Sequence, residues 1–203
     1  MKIKKVKPQP QEAITATRLR FSFSKKNYMN RILTILTVAL PILLVSCSEE
    51  ASNSGYPVNF VCDASIHPYN IVQGYGEYIT IKRSGNGTEY IVNYREGDGE
   101  KEQTVKLSAF QLQQGTFHYG RGGLIIGTPS AFDGNKWAFD LACPKCDLVN
   151  RRVTIEQPIG QAYCKECSCR WDLNSGGIPI EGDTRPLWRY RVAENPPNII
   201  IMN

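Results

Sequence analysis

Apolar and polar residues alternate over much of the chain after residue 55, and this pattern predicts short β-strands separated by turns. The alternation is clearest in residues 78–83 (YITIKR) and 88–94 (TEYIVNY), which flank the tetrapeptide SGNG at 84–87. A period of two over such short runs is typical of half-buried strands, and a glycine-rich tetrapeptide between them is typical of a turn. We therefore predict a β-hairpin over residues 78–94.

Other short runs rich in β-branched and aromatic residues extend this pattern along the chain. They lie at residues 103–110, 122–127, 137–143, 186–192 and 198–202. Residues 96–102 (EGDGEKE) and 132–136 (FDGNK) are rich in turn residues and predict loops. No window of a dozen residues has a convincing helical period. The predicted fold class is all-β, a sandwich or barrel, with cysteine-bearing loops inserted near its C-terminal end.

An apolar run of a different kind precedes the strands. Residues 32–45 (ILTILTVALPILLV) form an apolar run of 14 after Arg31, which is short for a membrane-spanning helix. A basic residue followed by such a core is typical of a secretory signal peptide. The tetrad LVSC, which ends in Ser46 and Cys47, resembles the lipobox of bacterial lipoproteins. This resemblance implies that Cys47 becomes the lipidated first residue; an uncleaved signal anchor is the alternative.

These features divide the chain into three predicted parts. Residues 1–46 are a leader and lipoprotein signal peptide, residues 47–55 are a lipid-anchored tether, and residues 56–203 are a single β domain. Met29 is a candidate for the true start, because the residues after it make a compact signal by themselves. Residues 49–50, both glutamates, resemble the acidic export signal of surface lipoproteins in the Bacteroidetes. We expect a cell-envelope protein anchored by its N-terminal lipid in the outer membrane, on the periplasmic face or at the cell surface.

The basic character of the whole chain belongs to this leader. The chain has 24 Lys/Arg and 19 Asp/Glu, and residues 1–46 hold nine of the basic residues and one of the acidic residues. The rest of the chain therefore carries 15 basic and 18 acidic residues. This slight excess of acidic residues gives no reason to expect a nucleic-acid partner.

Four of the seven cysteines form two C-x-x-C pairs, Cys143 with Cys146 and Cys164 with Cys167, separated by 17 residues. A C-x-x-C turn lets two thiolates converge on one ion, and two such turns at hairpin spacing complete a tetrahedral shell. The spacing is close to that of zinc ribbons and rubredoxins. It predicts a metal-binding subdomain on two loops, at about residues 140–175, that holds one zinc or one iron ion.

The residues around these cysteines also resemble the cluster-binding region of Rieske iron–sulfur proteins. Residues 137–146 (WAFDLACPKC) contain Cys143 and Pro144, which match the cysteine and proline of the family's first loop. Residues 164–192 begin with Cys164, which matches the second cysteine, and continue through an aromatic–Asp pair, glycines and a proline before a closing strand. The resemblance covers roughly residues 123–192. It implies a Rieske-like β domain with a two-iron two-sulfur (2Fe-2S) cluster.

The chain departs from the Rieske pattern at both ligand histidines. Lys145 stands in place of the first and Cys167 in place of the second. A charged lysine cannot ligate a metal, so the first loop must use Cys146. The spacing favours a single zinc or iron ion on four thiolates, whereas the resemblance favours an all-cysteine 2Fe-2S cluster.

Cys62 and Cys169 are the cysteines that remain besides Cys47. In an exported protein they are candidates for a disulfide; alternatively, Cys62 is a small buried residue and Cys169 replaces a ligand. Two disulfides in place of a metal are another alternative. Thioredoxin-like chemistry at Cys143 and Cys146 would require a helix directly after the motif, and the β-branched residues 147–158 do not predict one.

Two functional classes follow from these patterns. In the first, the cysteines hold an iron centre that transfers electrons to an unknown redox partner. In the second, zinc or disulfides pin two loops of a structural lipoprotein that binds an unknown protein partner. No group of residues predicts a substrate-transforming site, since Asp140 and Asp172 follow aromatic residues and are expected to fix loops by hydrogen bonds.

Overall fold

The hairpin predicted over residues 78–94 forms in the structure, a computed structural model that describes residues 55–85, 87–107, 112, 117–131, 134–157 and 159–203. Its strands are β2 (Tyr78–Arg83) and β3 (Glu89–Glu96), which pair antiparallel with Ile81 opposite Val92. The chain then turns and adds β4 (Gly99–Lys106) to the other side of β3.

The protein is all-β, as the sequence predicts, and its strands pair into two antiparallel sheets. The other strands are β1 (Val58–Asp63), β5 (His118–Tyr119), β6 (Leu124–Gly127), β7 (Trp137–Asp140), β8 (Thr154–Glu156), β9 (Gln161–Tyr163), β10 (Arg170–Asp172), β11 (Ile178–Glu181), β12 (Arg189–Asn195) and β13 (Asn198–Met202). Two short 3₁₀ helices are Tyr69–Gln73 and Leu173–Ser175. The nine-stranded sheet has the order β4-β3-β2-β6-β7-β12-β13-β1-β5, and the four-stranded sheet has the order β11-β10-β9-β8.

The nine-stranded sheet buries a different set of side chains on each face. Along β2, Ile79 and Ile81 belong to a first core, whereas Tyr78 belongs to a second core on the opposite face. In the first core, the Phe60 ring of β1 lies 5.5 Å from the Tyr90 ring of β3. Because β1 and β3 are far apart in the strand order, the sheet must curl around this first core.

The four-stranded sheet contributes to the second core. Trp171 of β10 is fully buried there with Ile125 of β6 and Phe139 of β7, and Cys143 and Cys164 belong to the same core. The outer face of the large sheet thus supports the small sheet and the two loops that carry the cysteines.

The strand predictions fail at several places: β1 (Val58–Asp63) was not predicted although its residues alternate in burial, and other misses lie where such alternation is weak. The predicted loop at residues 96–102 is wrong, because β3 extends to Glu96 and β4 begins at Gly99. β4 is an edge strand with mostly exposed residues, so burial imposes little apolar alternation on it. The short strands β8–β11 were likewise not predicted.

The predicted leader at residues 1–46, the lipidation site Cys47 and the tether up to residue 54 lie outside the described residues. Among the residues that are described, no helix is long and apolar enough to cross a membrane.

Candidate metal centre

The first cysteine loop connects β7 to β8. An isolated bridge between Ala142 and Arg152 closes its base, and the Cys143 N–H donates to the Arg151 carbonyl at 2.8 Å. Within the loop, the Asp147 N–H donates to the Cys143 carbonyl at 3.1 Å, which turns the chain so that Cys146 faces back toward Cys143. Asp147 takes a positive φ of 52° to complete this turn.

The second cysteine loop is the connection of the β9–β10 hairpin. Tyr163 and Arg170 pair at its base, and the Cys164 N–H donates to the Cys169 carbonyl at 3.0 Å. The Ser168 N–H donates to the Cys164 carbonyl at 2.9 Å, and Ser168 has a φ of 56°. Both loops therefore make the same turn, with a positive φ directly after the second cysteine.

This shared conformation is costly for residues with a side chain. Asp147 and Ser168 are the non-glycine residues with positive φ in the part of the chain that the structure describes. Such conformations persist where the surroundings fix them, and they concentrate at functional sites. The two loops thus share this conformation at equivalent positions, directly after the second cysteine of each pair.

The four thiols of Cys143, Cys146, Cys164 and Cys167 converge so that all Sγ atoms lie within 4.8 Å of one another. The Sγ atoms of Cys143 and Cys167 are 3.6 Å apart, and those of Cys146 and Cys164 are 3.8 Å apart. Four thiolates about 2.3 Å from a zinc ion would be separated by about 3.8 Å at the corners of a tetrahedron. The predicted ligands are therefore placed to hold a metal ion.

The site lies at the boundary between the second core and solvent. Cys143 and Cys164 are fully buried, whereas Cys146 and Cys167 are partly exposed. Leu141, Val153 and Leu187 belong to the same core as the buried pair. The inner thiolates are thus shielded from water, and the outer pair forms the accessible side of the site.

Burial and local hydrogen bonds give these thiols different proton affinities when no metal holds them. Burial raises the pKa of Cys143 well above the ordinary thiol value, although the Cys146 N–H donates to its Sγ at 3.4 Å. Burial likewise raises the pKa of Cys146 to about 11. For Cys167, burial acts to raise the pKa, but hydrogen bonds from the Cys169 N–H and from neighbouring thiols outweigh it and lower the pKa to about 7. Cys167 therefore forms a thiolate more readily than Cys143 or Cys146.

Charged side chains connect the two loops to each other and connect the first loop to the segments that precede β6 and β12. The Arg151 guanidinium of the first loop pairs with Glu166 of the second. Arg121 donates to both the Asp147 carboxylate and its carbonyl, and Arg185 lies 3.5 Å from the same carboxylate. These contacts stabilise the positive-φ turn at Asp147 through its carboxylate and its carbonyl. These contacts could not be predicted from sequence patterns, because the partners are distant along the chain.

Asp140, the last residue of β7, fixes the start of the first cysteine loop by hydrogen bonds. Its carboxylate is fully buried and accepts hydrogen bonds from the N–H groups of Arg121, Gly122 and Ala142 at 2.6, 2.9 and 2.7 Å and from the Tyr190 hydroxyl at 2.5 Å. Because Ala142 directly precedes Cys143, this carboxylate orients the entry to the site. The structure confirms the prediction that Asp140 fixes a loop by hydrogen bonds.

Asp172 has the same kind of role at the end of β10. Its carboxylate accepts from the Asn174 N–H at 2.9 Å and from the Ser175 hydroxyl at 2.6 Å, so it caps the 3₁₀ helix Leu173–Ser175. Both aspartates thus fix loops by hydrogen bonds, and they are not arranged together as an acid–base pair.

Cys169 lies beside the site but is not one of the four converging thiols. It is fully buried, and its Sγ lies 3.6 Å from the Cys167 carbonyl. A Cβ atom at Gly182 would lie 2.5 Å from this Sγ, so a glycine is required where the β11 end passes the loop. Cys169 therefore fills space under the second loop and supplies the N–H that stabilises the Cys167 thiolate.

Cys62 lies in the first core, whereas Cys169 lies in the second. The structure does not bring these two thiols together, and both are free, as are the other four cysteines of the described chain. Burial raises the pKa of Cys62 to about 12, as expected for a thiol packed among apolar side chains.

No protein-family model matches this chain, and no curated protein shows significant similarity to it.

Proposed function

We propose that this protein binds a single metal ion through Cys143, Cys146, Cys164 and Cys167, and that the ion pins the two cysteine loops together. One observation carries the proposal: the four Sγ atoms lie within 4.8 Å of one another. Four thiolates saturate a tetrahedral ion, which is typical of a structural site and leaves no position for a substrate.

The spacing of the thiols favours one ion over a 2Fe-2S cluster. In such a cluster each iron binds its own pair of thiolates, so thiolates on different irons are separated by the additional iron–iron distance. In this site both short contacts, Cys143 to Cys167 at 3.6 Å and Cys146 to Cys164 at 3.8 Å, run between the loops, and no pair of thiols stands apart from the others. A closed shell of four cysteines is typical of structural zinc, which is therefore the first candidate for the ion.

A mononuclear iron centre that transfers electrons is the second candidate. The observation that favours it is the partial exposure of Cys146 and Cys167. An electron-transfer centre needs such an accessible side, whereas a purely structural ion does not. Lys145 and Lys165 follow the first cysteine of each loop, and their charges offset part of the negative charge of four thiolates.

We further propose that the domain is a cell-envelope lipoprotein attached to the outer membrane through Cys47. The support is the sequence alone: a short apolar core, the tetrad LVSC and a polar stretch after it. Mass spectrometry of the membrane-extracted protein tests this proposal. A mature N-terminus at Cys47 with a lipid mass is expected, and an unmodified Cys47 in the mature chain would contradict it.

Metal analysis of the full chain, purified in detergent without added metal, tests the metal proposal. We expect one zinc per chain, no visible absorption and no acid-labile sulfide. One iron per chain without sulfide would support the electron-transfer candidate, and two irons with two sulfides would instead establish the 2Fe-2S cluster. No metal together with no titratable thiols would replace the proposal by the disulfide alternative.

Matched variants make this measurement specific. Cys164→Ser removes a proposed ligand, whereas Cys62→Ser removes a buried thiol of the other core. We expect the first to lose the metal and the second to keep it at the wild-type ratio.

A further inference from the structure

Two neighbouring aliphatic side chains are exposed on the first cysteine loop. Leu148 and Val149 are 52% and 51% exposed, and neither belongs to the first or the second core. The Arg151 N–H donates to the Leu148 carbonyl at 3.1 Å, so both side chains lie on a turn. A single exposed aliphatic residue is ordinary on a protein surface, whereas this adjacent pair gives the loop an apolar tip.

The loops that carry and adjoin this tip are richer in basic residues than the rest of the domain. Residues 143–152 and 164–169 hold four basic and two acidic residues, whereas the other residues from 56 onward hold 11 basic and 14 acidic residues. Both of the loop carboxylates are paired with arginines. Lys145 and Lys165 are exposed, and no ion pair joins them to another residue of the described chain. These two lysines are therefore available to an anionic partner.

The proposed metal site does not cancel this positive charge. A divalent ion with four thiolates carries a net charge of about −2. Arg121 and Arg185 both pair with Asp147, so the surface around the site has six basic and two acidic side chains. The surface therefore stays positive when the ion is bound.

The start of the β domain lies close to the same loop. The Arg121 guanidinium carbon lies 5.2 Å from the centre of the Tyr56 ring, and the guanidinium donates to Asp147 of the first cysteine loop. One side chain thus bridges the start of the domain and this loop. The proposed tether, from Cys47 to residue 55, has nine residues and spans at most about 30 Å when extended. The loop tip is therefore within reach of a membrane that holds Cys47.

We propose that the tips of the two cysteine loops dock onto a membrane surface that contains anionic phospholipids. This inference rests on the proposed attachment through Cys47, which brings the loops to the membrane. In the docked state Leu148 and Val149 enter the headgroup region, as the apolar residues of interfacial segments do. Lys145 and Lys165 bind lipid phosphates. An acidic protein would account for the lysines but not for the apolar tip beside them.

Hydrogen exchange with mass spectrometry, on the full chain purified from membranes, tests this proposal. The chain is measured in detergent, in phosphatidylcholine vesicles, and in vesicles of equal parts phosphatidylcholine and phosphatidylglycerol. We expect the amides of residues 145–150 to exchange at least about fivefold more slowly in the anionic vesicles than in detergent, because each lysine near an anionic surface contributes about this factor. High salt should reduce the difference between the two kinds of vesicle. Equal exchange under all three conditions would overturn the proposal.

Matched variants distinguish docking of the tip from a general effect of the vesicles. Leu148→Asp places a carboxylate in the apolar tip and should abolish the slow exchange of residues 145–150. Ile66→Asp is the control, because Ile66 is 56% exposed and follows the end of β1, whereas Tyr56 precedes its start. Lys165→Gln should weaken docking about fivefold in the anionic vesicles only. Slow exchange that persists in Leu148→Asp, or that is lost in Ile66→Asp, would contradict docking through the loop tip.

Metal content and the mass of the N-terminal peptide are measured on the same samples. Leu148→Asp and Val149→Asp should both keep the wild-type metal ratio, because neither side chain is a proposed ligand. Loss of metal and of slow exchange in both variants would indicate a disrupted loop and count against docking. A lipidated Cys47 with freely exchanging loops would contradict the docking alone. Slow exchange with an unmodified Cys47 would contradict only the lipid attachment.

Soluble polyglutamate represents an acidic protein partner in the same experiment. We expect it to leave the exchange of residues 145–150 unchanged at physiological salt, because it offers no apolar phase to Leu148 and Val149. If polyglutamate slowed this exchange as much as the anionic vesicles did, and Leu148→Asp kept the effect, the partner would be an acidic protein and the membrane proposal would be wrong.

Discussion

The two sheets of this protein differ in what stabilises them. The large sheet includes strands of up to eight residues and curls around a core of aliphatic and aromatic side chains. The small sheet has strands of three or four residues, and the second core that it covers includes Cys143, Cys164 and Cys169. An isolated hairpin is marginally stable at best, so these short strands depend on the apolar face that they pack against the large sheet. We infer that apolar burial organises the large sheet and that the proposed ion, when bound, completes the small one.

Removal of one ligand should have the largest effect and should separate the two regions. In Cys164→Ser we expect loss of the metal and of amide protection in β8–β11, while β1, β2 and β13 remain protected. Binding of zinc to structural four-ligand sites contributes roughly 10–16 kcal/mol in zinc-finger peptides, so a small subdomain cannot easily compensate for its loss. Hydrogen exchange with mass spectrometry measures both regions in one experiment. Full protection of β8–β11 without metal would contradict the difference we infer.

Truncation of a side chain in the first core should destabilise the large sheet. Phe60 is fully buried and its ring contacts those of Tyr90 and Phe117 at 5.5 and 5.6 Å. Phe60→Ala should lower the free energy of unfolding by about 3–5 kcal/mol, because it leaves a cavity in this core. Denaturant unfolding measures the loss, with Tyr75→Ala, at a ring that is 64% exposed, as the control. The folded fraction of Phe60→Ala should still bind one metal ion. A folded protein without metal would show that the metal site depends on the first core, which would contradict the difference we infer between the two sheets.

A substitution at Asp140 should affect both regions, because this carboxylate joins them. In Asp140→Asn one oxygen still accepts, but the NH2 group that replaces the other oxygen faces two hydrogen-bond donors and cannot accept from them. We expect a loss of about 1–3 kcal/mol in the free energy of unfolding and a metal affinity about 10–100-fold lower, since Asp140 orients the residue before Cys143. Tyr190→Phe removes only one of the four donors to this carboxylate and should have a smaller effect on both quantities. Competition with a chromogenic chelator measures the affinity, and an unchanged affinity in Asp140→Asn would remove Asp140 from the support of the site.

Sequence patterns identified the parts of this fold that local chemistry determines. The alternation in β2 and β3 predicted the hairpin, and β13 matches its predicted run at residues 198–202. The two C-x-x-C pairs predicted four converging thiols, because the turn within each pair is a local structure. Asp140 was predicted to fix a loop by hydrogen bonds, although only one of its four donors, the Ala142 N–H, is close to it in sequence.

The remaining features depend on contacts between distant segments. β4 has almost no buried side chain, so its residues carry no periodic apolar signal. The curl of the large sheet depends on ring contacts between β1 and β3, and the turn at Asp147 depends on Arg121, which is 26 positions away. Residues 1–54, which include the predicted signal peptide and Cys47, lie outside the described chain, so those predictions remain open to experiment.

The ion pair between the cysteine loops should have the smallest effect, although it joins the same two loops as the proposed ion. The side chains of Arg151 and Glu166 are 42% and 51% exposed, and exposed pairs contribute about 0–1 kcal/mol because water and salt screen them. Arg151→Met should therefore leave metal content and the protection of β8–β11 nearly unchanged.

The pair between Lys136 and Glu194 in the large sheet provides the matched control, because the Lys136 side chain is only 7% exposed. Lys136→Met leaves the Glu194 carboxylate without its buried partner and should be the more destabilising of the two substitutions in denaturant unfolding. If Arg151→Met lowered the free energy of unfolding more than Lys136→Met did, with metal still bound, charge pairing and not the ion would hold the two loops together. That result would assign the small sheet the same dependence on side-chain contacts as the large one.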